Sequence, residues 1–413
     1  MRKWISLLCA ACVAAAIPGA LWLHSRLPVD VQPLIEAKYG GWSGVLRLWV
    51  CEGWASGSCA GWLNRCIAGY EKSRPGVYVQ PQYVDTDAIA SLDESGIAPP
   101  DLVLMPPGTG ADARWFIPLA PDLRLREGLP GSIGEPRALP VMLGGYLWAL
   151  NAERLPDLPG SWREAGATLS VPTDEPFRRW SCALMGLCAC RYAPEGGGQS
   201  ELSGELELGL GGEATPAPAP TQPPMNAGLP CRLPENFAPM EDAFAAFARG
   251  ELDAVPVTQR EIRRLRALDE QGKGIDWRLA ASGEAFTDQV LYLGIIDPAS
   301  LSEEVPDVSS RRELSLDFLR HLLSDDCQGM LHLAGACSVT GALSGYAPGA
   351  AEAQMEAALR SGMPAVPGCF DRTWVQAVEP IVRKFLLGEG DAADLWPSVR
   401  ARLQQNPEHC FVP

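Results

Sequence analysis

The chain has 413 residues and a formal net charge of −16, with 34 basic side chains against 50 acidic ones. This length predicts two or three domains, each large enough to bury its own core. The apolar fraction of 47% excludes a wholly disordered chain. Because no basic stripe offsets the negative charge, nucleic acid and anionic lipid are excluded as binding partners.

The N-terminal segment indicates export from the cytoplasm. Residues 1–3 read Met-Arg-Lys, and an uncharged run follows over residues 4–23, which is typical of a signal peptide or a membrane anchor. Cys12 ends a Cys-Ala-Ala-Cys run that resembles a bacterial lipoprotein box, although Cys9 stands where an aliphatic residue is normal. Lipidation and plain anchoring therefore both stay open, and residues 1–30 are assigned to a signal or anchor.

Eleven of the 13 cysteines follow this segment. An exported chain can form disulfides, but their connectivity cannot be taken from spacing. Cys190 and Cys231 flank a loop rich in glycine and proline, and a bond between them would restrict the unfolded chain, so this pair is the favoured disulfide of that part of the chain. His321 and Cys327 show no recognised metal-ligand spacing, and the cysteines are interpreted as buried free thiols with one or two bridges.

Strand and helix signals alternate from about residue 45, which predicts parallel βαβ units. The first strand signal covers residues 45–50, and an amphipathic helix that stops before Pro75 comes after it. A second strand is predicted over residues 77–84, and a buried apolar strand over residues 102–105.

The second half of the pattern is less regular. Residues 139–151 form a long extended apolar stretch that contains a Gly-Gly pair. Residues 194–230 are rich in glycine and proline and are predicted to form a loop. Thr258 and Glu261 have the Thr-x-x-Glu form of a capping box, which predicts the start of a helix.

Four short segments occur in a recognisable order: residues 70–79 read Tyr-Glu-Lys-Ser-Arg-Pro-Gly-Val-Tyr-Val, 100–103 read Pro-Asp-Leu-Val, 159–164 read Pro-Gly-Ser-Trp-Arg-Glu and 247–251 read Phe-Ala-Arg-Gly-Glu. Their order, over about residues 45–405, resembles that of the extracellular solute-binding proteins of bacterial ABC importers. The similarity is greatest to the carbohydrate-binding, maltose-binding-protein-like branch.

The resemblance implies an α/β protein with a two-lobed, periplasmic-binding-protein-like fold and hinge-crossing strands. Lobe I would comprise residues 31–148 and 279–340. Lobe II would comprise residues 149–278 and 341–413, with the insertion at about 194–230. Ligand would favour a closed state by contacting both lobes, and the closed state would dock on a permease.

A sugar-binding cleft needs aromatic rings for stacking and carboxylates for the hydroxyl groups. Glu52 and Trp54 lie in the turn after the first strand, where the family reaches into its cleft. Glu175 and Phe177 belong to a Glu-Pro-Phe-Arg-Arg-Trp segment that is similar to one in which the acid and the first aromatic contact sugar. Trp374 aligns with a stacking tryptophan at the start of a late helix, although it also begins the apolar stripe of that helix.

Two further positions have two interpretations each, and a third departs from the family pattern. Tyr146 shares one face of the crossing segment, the extended stretch of residues 139–151, with Trp148 and points either to the cleft or to the core. Asp85 follows the second strand and either binds ligand or caps the next helix. Gly144 stands where the family has a sugar-binding acid, which argues against maltose as the ligand.

We therefore predict a monomeric receptor that lies outside the cytoplasm, attached to the outer face of the cell membrane by its N-terminal segment alone or secreted. It would deliver a small solute, above all a carbohydrate, to the permease subunits of an ABC importer. The alternatives are a surface-anchored sensory or scavenging protein with the same fold and no transporter, or a receptor for a peptide or polyamine. The chain has no Gly-x-Ser-x-Gly, His-Glu-x-x-His or phosphate-loop motif, so it is predicted not to be an enzyme, and no cofactor or metal is predicted.

Overall fold

The computed structural model describes residues 43–52, 58–93, 99–119, 137–157, 168, 171–172, 237–238, 240–280, 289–301, 307–361, 368–369, 380–381, 384 and 410–411. The predicted signal or anchor and the Cys190–Cys231 pair lie outside these ranges. Within them, no helix has both the length and the apolar character needed to cross a bilayer.

The described chain alternates between strands and helices. The strands are β1 (Gly44–Cys51), β2 (Val77–Val84), β3 (Leu102–Met105), β4 (Ala138–Leu143), β5 (Leu147–Asn151), β6 (Val171–Pro172), β7 (Phe237–Ala238), β8 (Ala254–Val257), β9 (Trp277–Ala280), β10 (Val290–Ile295), β11 (Gly368–Cys369) and β12 (Cys410–Phe411). The α-helices are α1 (Ala60–Ser73), α2 (Thr86–Ala90), α3 (Met240–Ala248), α4 (Gln259–Glu270), α5 (Val308–Leu322), α6 (Asp325–Gln328) and α7 (Ala351–Ser361).

The larger sheet has five strands in the order β2-β1-β3-β10-β4. β1 pairs in parallel with both β2 and β3, which confirms the predicted βαβ units. β10 runs antiparallel to β3 on one side and to β4 on the other. Every residue of β3, β4 and β10 is buried, as expected for central strands covered on both faces.

Helix α1 covers one face of this sheet and has the apolar stripe predicted from the sequence. Its buried side chains are Trp62, Leu63, Cys66, Ile67 and Tyr70. The helix ends at Ser73, and the chain turns into β2 through Gly76, whose φ of 94° suits a residue without a Cβ atom. The predicted stop before Pro75 is therefore confirmed.

The smaller sheet has three antiparallel strands in the order β8-β5-β9. The chain passes from the larger sheet to the smaller one between Leu143 and Leu147, and it returns between Ala280 and Val290. The extended stretch predicted over residues 139–151 is thus two strands in two different sheets. The division into lobes at these crossings stays a prediction.

Helix α4 packs beside the smaller sheet and begins with the predicted capping box. The Thr258 side chain accepts a hydrogen bond from the backbone amide of Arg260 at 3.2 Å. The backbone amide of Thr258 in turn donates to the Glu261 carboxylate at 3.1 Å. This reciprocal arrangement confirms the capping box and holds the first turn of α4 against the crossing segment.

Candidate functional site

One edge of the larger sheet collects polar residues from several strands. β1, β2 and β3 are parallel, so their carboxyl ends lie at the same edge, and β4 also ends there because both it and β3 pair with β10 in the antiparallel sense. Glu52 directly follows β1, Asp85 follows β2, and Gly144 follows β4. Gln289 directly precedes β10, and its carbonyl oxygen accepts from the Gly144 amide at 2.6 Å. Open α/β sheets bind ligands at this edge.

Glu52 is partly buried and close to the start of α1. Its carboxylate accepts a hydrogen bond from the Ser58 hydroxyl at 2.6 Å and lies 3.8 Å from the Cys59 sulfur. Burial, reinforced by the charge of Glu52, raises the pKa of the Cys59 thiol to about 12, so this thiol stays protonated at neutral pH. The hydrogen bond from Ser58 therefore orients the Glu52 carboxylate as an acceptor at this edge of the larger sheet.

Tyr83 is an aromatic residue of this edge that the sequence did not single out as a ligand candidate. Tyr83 lies near the end of β2, opposite Val50 of β1, and 46% of its surface is exposed to solvent. Partial burial, with the nearby charges of Cys59 and Glu52, raises the pKa of its hydroxyl to about 12. Because Tyr83 pairs with Val50 and Glu52 follows two residues after Val50, both groups lie at the ends of the neighbouring strands β2 and β1.

Strand alternation alone does not predict that Tyr83 is exposed. Val77 and Val79 are buried on the face of β2 that α1 covers, and the period of two assigns Tyr83 to that same face. However, the last three residues of β2 are exposed or only partly buried, so the cover over this face ends before Tyr83. The signal that could have found Tyr83 is its position at the very end of the strand.

Asp85 acts as the N-cap of α2. Its carboxylate oxygen accepts a hydrogen bond from the Ala88 backbone amide at 2.8 Å, and its side chain is exposed. Of the two interpretations left open by the sequence, capping is therefore confirmed. Because a carboxylate has several lone pairs, a contact with ligand stays compatible with capping and remains a prediction.

The crossing segment between the sheets is lined by buried polar groups. Tyr146 is 1% exposed, and its hydroxyl accepts a hydrogen bond from the Gln289 side-chain amide at 3.0 Å. Trp148, on the same face, is fully buried. In this conformation, therefore, neither aromatic ring presents a surface to solvent.

Gln259, the first residue of α4, fills the space beside Gly144. A Cβ atom at position 144 would lie 2.9 Å from its Oε1 atom. The Gln259 amide nitrogen donates to the Cys337 sulfur at 3.4 Å, whereas its buried Oε1 atom accepts no hydrogen bond from the described residues. Gly144 is thus required by close approach of a polar side chain from α4, which the sequence did not reveal.

A second buried network, behind the crossing segment, has a structural role. The Gln328 amide nitrogen donates to the Val141 carbonyl at 2.9 Å, and its oxygen accepts from the Ser338 hydroxyl at 2.9 Å. The Ser344 hydroxyl donates to Glu356 at 2.8 Å. Because these buried groups satisfy one another, we assign them to holding the segment rather than to binding ligand.

The remaining predicted site residues cannot be placed. Trp54, Glu175, Phe177 and Trp374 lie outside the described residues, so their roles stay predictions. The structure brings Glu52 and Asp85 to one sheet edge and places Tyr146 in the adjoining crossing segment. Within the described ranges, no three His, Cys, Asp or Glu side chains come together in a group that could hold a metal ion.

By sequence, no family model and no curated protein matches the chain. Solved structures match over most of its length. One is a protein from Synechococcus sp. MITs9220, described as a proposed oligosaccharide periplasmic-binding protein and solved with zinc. It is 12% identical to this chain with a TM-score of 0.52, and the match covers 88% of this chain and 98% of the Synechococcus protein. The cyclic alpha-maltosyl-1,6-maltose binding protein of Arthrobacter globiformis is 12% identical with a TM-score of 0.50, covering 89% of this chain and 100% of its own.

The GacH receptor of Streptomyces glaucescens GLA.O, solved unliganded and with acarbose, has a TM-score of 0.49 at 12% identity and covers 88% of this chain and 98% of its own. The fold assignment rests on the two preceding structures, which have higher TM-scores. They show that the chain has the α/β, two-lobed fold of the periplasmic solute-binding proteins. The resemblance found in the sequence motifs is thus confirmed at the level of fold.

Proposed function

We propose that this chain is an extracytoplasmic receptor that binds a carbohydrate in the cleft between its two lobes and delivers it to an ABC importer. The fold supports a solute-binding role, since its structural neighbours are binding proteins of the periplasmic type. The sheet edge that ends β1, β2 and β4 faces the crossing segment and supplies the polar groups of the first lobe. Glu175, Phe177 and Trp374 would complete the cleft from the second lobe.

The observation that carries the proposal is that Tyr83 and Glu52 lie at the ends of two neighbouring strands of the sheet. The exposed ring offers an apolar face on which a sugar can stack, and the oriented carboxylate accepts hydroxyl hydrogen bonds. A polyamine would use the same carboxylate and ring, through its charge and a cation–π contact, and a peptide would require backbone partners along an open strand. A carbohydrate is favoured because the names of the structural neighbours give an oligosaccharide and a cyclic maltosyl-maltose as ligands.

The test begins with a thermal-shift screen of the full chain against monosaccharides, oligosaccharides, short peptides and polyamines. Titration calorimetry then compares the wild type with Tyr83→Ala for the ligand that stabilises most. Losing a stacking anchor costs about 1–3 kcal/mol, which corresponds to a loss of affinity of several-fold to about a hundredfold. Tyr78→Ala is the matched control, because Tyr78 is equally a surface tyrosine of β2, 57% exposed, near its other end.

Two outcomes would contradict the proposal. The first is a screen in which only peptides or polyamines stabilise the chain. The second is an identical affinity for Tyr83→Ala and Tyr78→Ala. The transport part has its own test: cells lacking this protein should lose uptake of the identified sugar, whereas a purely sensory protein would leave uptake unchanged. Incubation with the sugar should return it chemically intact, as expected for a receptor rather than an enzyme.

A further inference from the structure

The packing of α1 against the segment around α6 brings two cysteines together. Cys66 lies on the buried stripe of α1, and Cys327 lies in α6; both are buried. The Nε2 atom of His321 is 2.9 Å from the Cys66 carbonyl oxygen and 3.4 Å from the Cys327 sulfur. One imidazole ring therefore contacts both residues, and the carbonyl oxygen requires that its Nε2 atom carries a hydrogen.

The face of α1 that carries Cys66 packs directly on Cys327. The indole nitrogen of Trp62, one helical turn before Cys66, donates a hydrogen bond of 2.8 Å to the Cys327 carbonyl oxygen. Interaction with Cys66, with further donors from His321 and Ser324, lowers the pKa of Cys327 to about 5. The interaction with Cys327, together with burial, raises the pKa of Cys66. Two cysteines held on elements that pack on each other in this way are candidates for a disulfide, which requires close approach of the two sulfur atoms.

We propose that Cys66 and Cys327 form a disulfide that links α1 to α6. The inference goes beyond the proposed function and does not depend on which solute binds. From that function it takes only the extracytoplasmic location, which supplies oxidising surroundings. The bond would close a loop that spans most of the chain, and long loops are those in which a cross-link restricts the unfolded state most.

The chemistry is thiol–disulfide exchange with an external disulfide, such as oxidised glutathione or a protein oxidant. The Cys327 thiolate attacks one sulfur of the oxidant, which forms a mixed disulfide and expels one thiol. Cys66 then loses its proton and attacks the Cys327 sulfur, which expels the second thiol. Two protein thiols are oxidised, one external disulfide is reduced, and both protons leave on the two released thiols. Because both residues are buried in the folded protein, the reaction belongs to folding.

Peptide mapping can identify this bond without interference from the other cysteines. Trypsin, cutting after Arg65 and Lys72, releases Cys66 alone in residues 66–72. Trypsin at Arg320 and cyanogen bromide at Met330 release residues 321–330, which separates Cys327 from Cys337. The two fragments should therefore appear as one mass that reduction divides.

In the experiment, the full chain is unfolded with reductant, refolded with oxidised and reduced glutathione, alkylated and mapped. We expect residues 66–72 linked to residues 321–330. The proposal is overturned if both cysteines are recovered alkylated, or each bears glutathione, in protein whose circular dichroism is native. The refolding is done in vitro, so its outcome is independent of cellular location and of sugar binding.

A second measurement tests whether the bond stabilises the fold. Reduction should lower the melting temperature of the oxidised wild type by roughly 2–6 °C, because losing such a disulfide costs about 2–5 kcal/mol and the unfolding entropy of a chain of this length is large. The Cys66→Ala/Cys327→Ala variant should show no response to reductant, and Cys59→Ala, which alters another buried cysteine beside α1, should respond as the wild type does. An unchanged melting temperature of the wild type on reduction would contradict the stabilising role. If the double variant does not fold, the mapping of the wild type decides.

Discussion

The indole nitrogen of Trp62 donates a hydrogen bond of 2.8 Å to the carbonyl oxygen of Cys327, across 265 positions of the sequence. The first helix of the described chain is thereby tied to a segment that follows the last strand of the five-stranded sheet. Both partners are buried, so the bond satisfies two groups that water cannot reach. This long-range contact makes α6, which contains Cys327, part of the same core as β1 and β2.

Replacing this indole should destabilise the protein. Trp62→Phe keeps an aromatic ring but removes one of the donors to the Cys327 carbonyl, which still accepts from the Met330 backbone amide at 3.1 Å. We therefore expect a loss of about 0.5–1.5 kcal/mol in addition to the lost packing. Urea unfolding should show a lower midpoint with an unchanged slope. Trp49→Phe is the control: Trp49 is also buried, and no hydrogen bond of its indole is seen within the described residues. Equal losses in the two variants would show that the hydrogen bond contributes nothing beyond packing.

The aspartate of the Pro-Asp-Leu-Val segment has a structural role that can be tested in the same way. Asp101 forms two hydrogen bonds of 2.8 Å with the Arg311 guanidinium and accepts the Arg47 backbone amide at 2.7 Å. Both side chains are largely buried, at 11% and 17% exposure. Asp101→Asn should therefore cost about 2–4 kcal/mol of unfolding free energy, because it leaves the buried arginine charge poorly compensated. Asp112→Asn removes a salt bridge whose arginine is 84% exposed and should change the unfolding free energy by less than about 1 kcal/mol.

Local patterns predicted the local structure well, and the long-range arrangement escaped them for physical reasons. The stripe of α1 and the Thr258 capping box depend on residues within a few positions, so the sequence displays them directly. The insertion of β10 between β3 and β4 depends on pairing across more than a hundred residues, and no local pattern encodes it. The approach of Cys66 to Cys327 belongs to the same class.

Part of the candidate site could be anticipated because strand ends are visible in the sequence. Glu52 and Asp85 directly follow strands, and their common edge follows once those strands are parallel. Tyr83 was missed because its exposure depends on where the cover over β2 ends, which no local pattern shows. Gln259 was missed because its approach to Gly144 brings α4 to the end of β4 across more than a hundred residues.

Two buried glutamines should respond oppositely to an apolar replacement. Gln259→Leu removes a buried oxygen that accepts no hydrogen bond from the described residues, so the unfolding free energy should stay unchanged or rise by about 1 kcal/mol. Gln328→Leu removes an amide that donates to two backbone carbonyls and accepts from Ser338, and it should destabilise by about 2–4 kcal/mol. Thermal unfolding of both variants is the measurement. A large loss of stability in Gln259→Leu would show that its oxygen has a partner in the folded protein, whereas weakened sugar binding at full stability would identify it as a ligand-binding group.

The closeness of Glu52 and Tyr83 can be tested by the ionisation of the phenol. Partial burial, with the negative charges of Cys59 and Glu52, holds the pKa of Tyr83 at about 12, so an increase of pH should ionise it later than a fully exposed tyrosine. Removing a negative charge favours the tyrosinate, and Glu52→Gln should therefore lower the pKa of Tyr83, by less than the whole of the rise because burial and Cys59 contribute more than Glu52 does. The midpoint is measured by ultraviolet absorbance, as the difference between each protein and its Tyr83→Phe counterpart. Asp85→Asn, which neutralises another carboxylate of the same sheet edge, should leave the midpoint in place. If Glu52→Gln also leaves the midpoint of Tyr83 unchanged, the Glu52 carboxylate does not act on the Tyr83 ring. The proposal that these two side chains bind one sugar would then lose its basis.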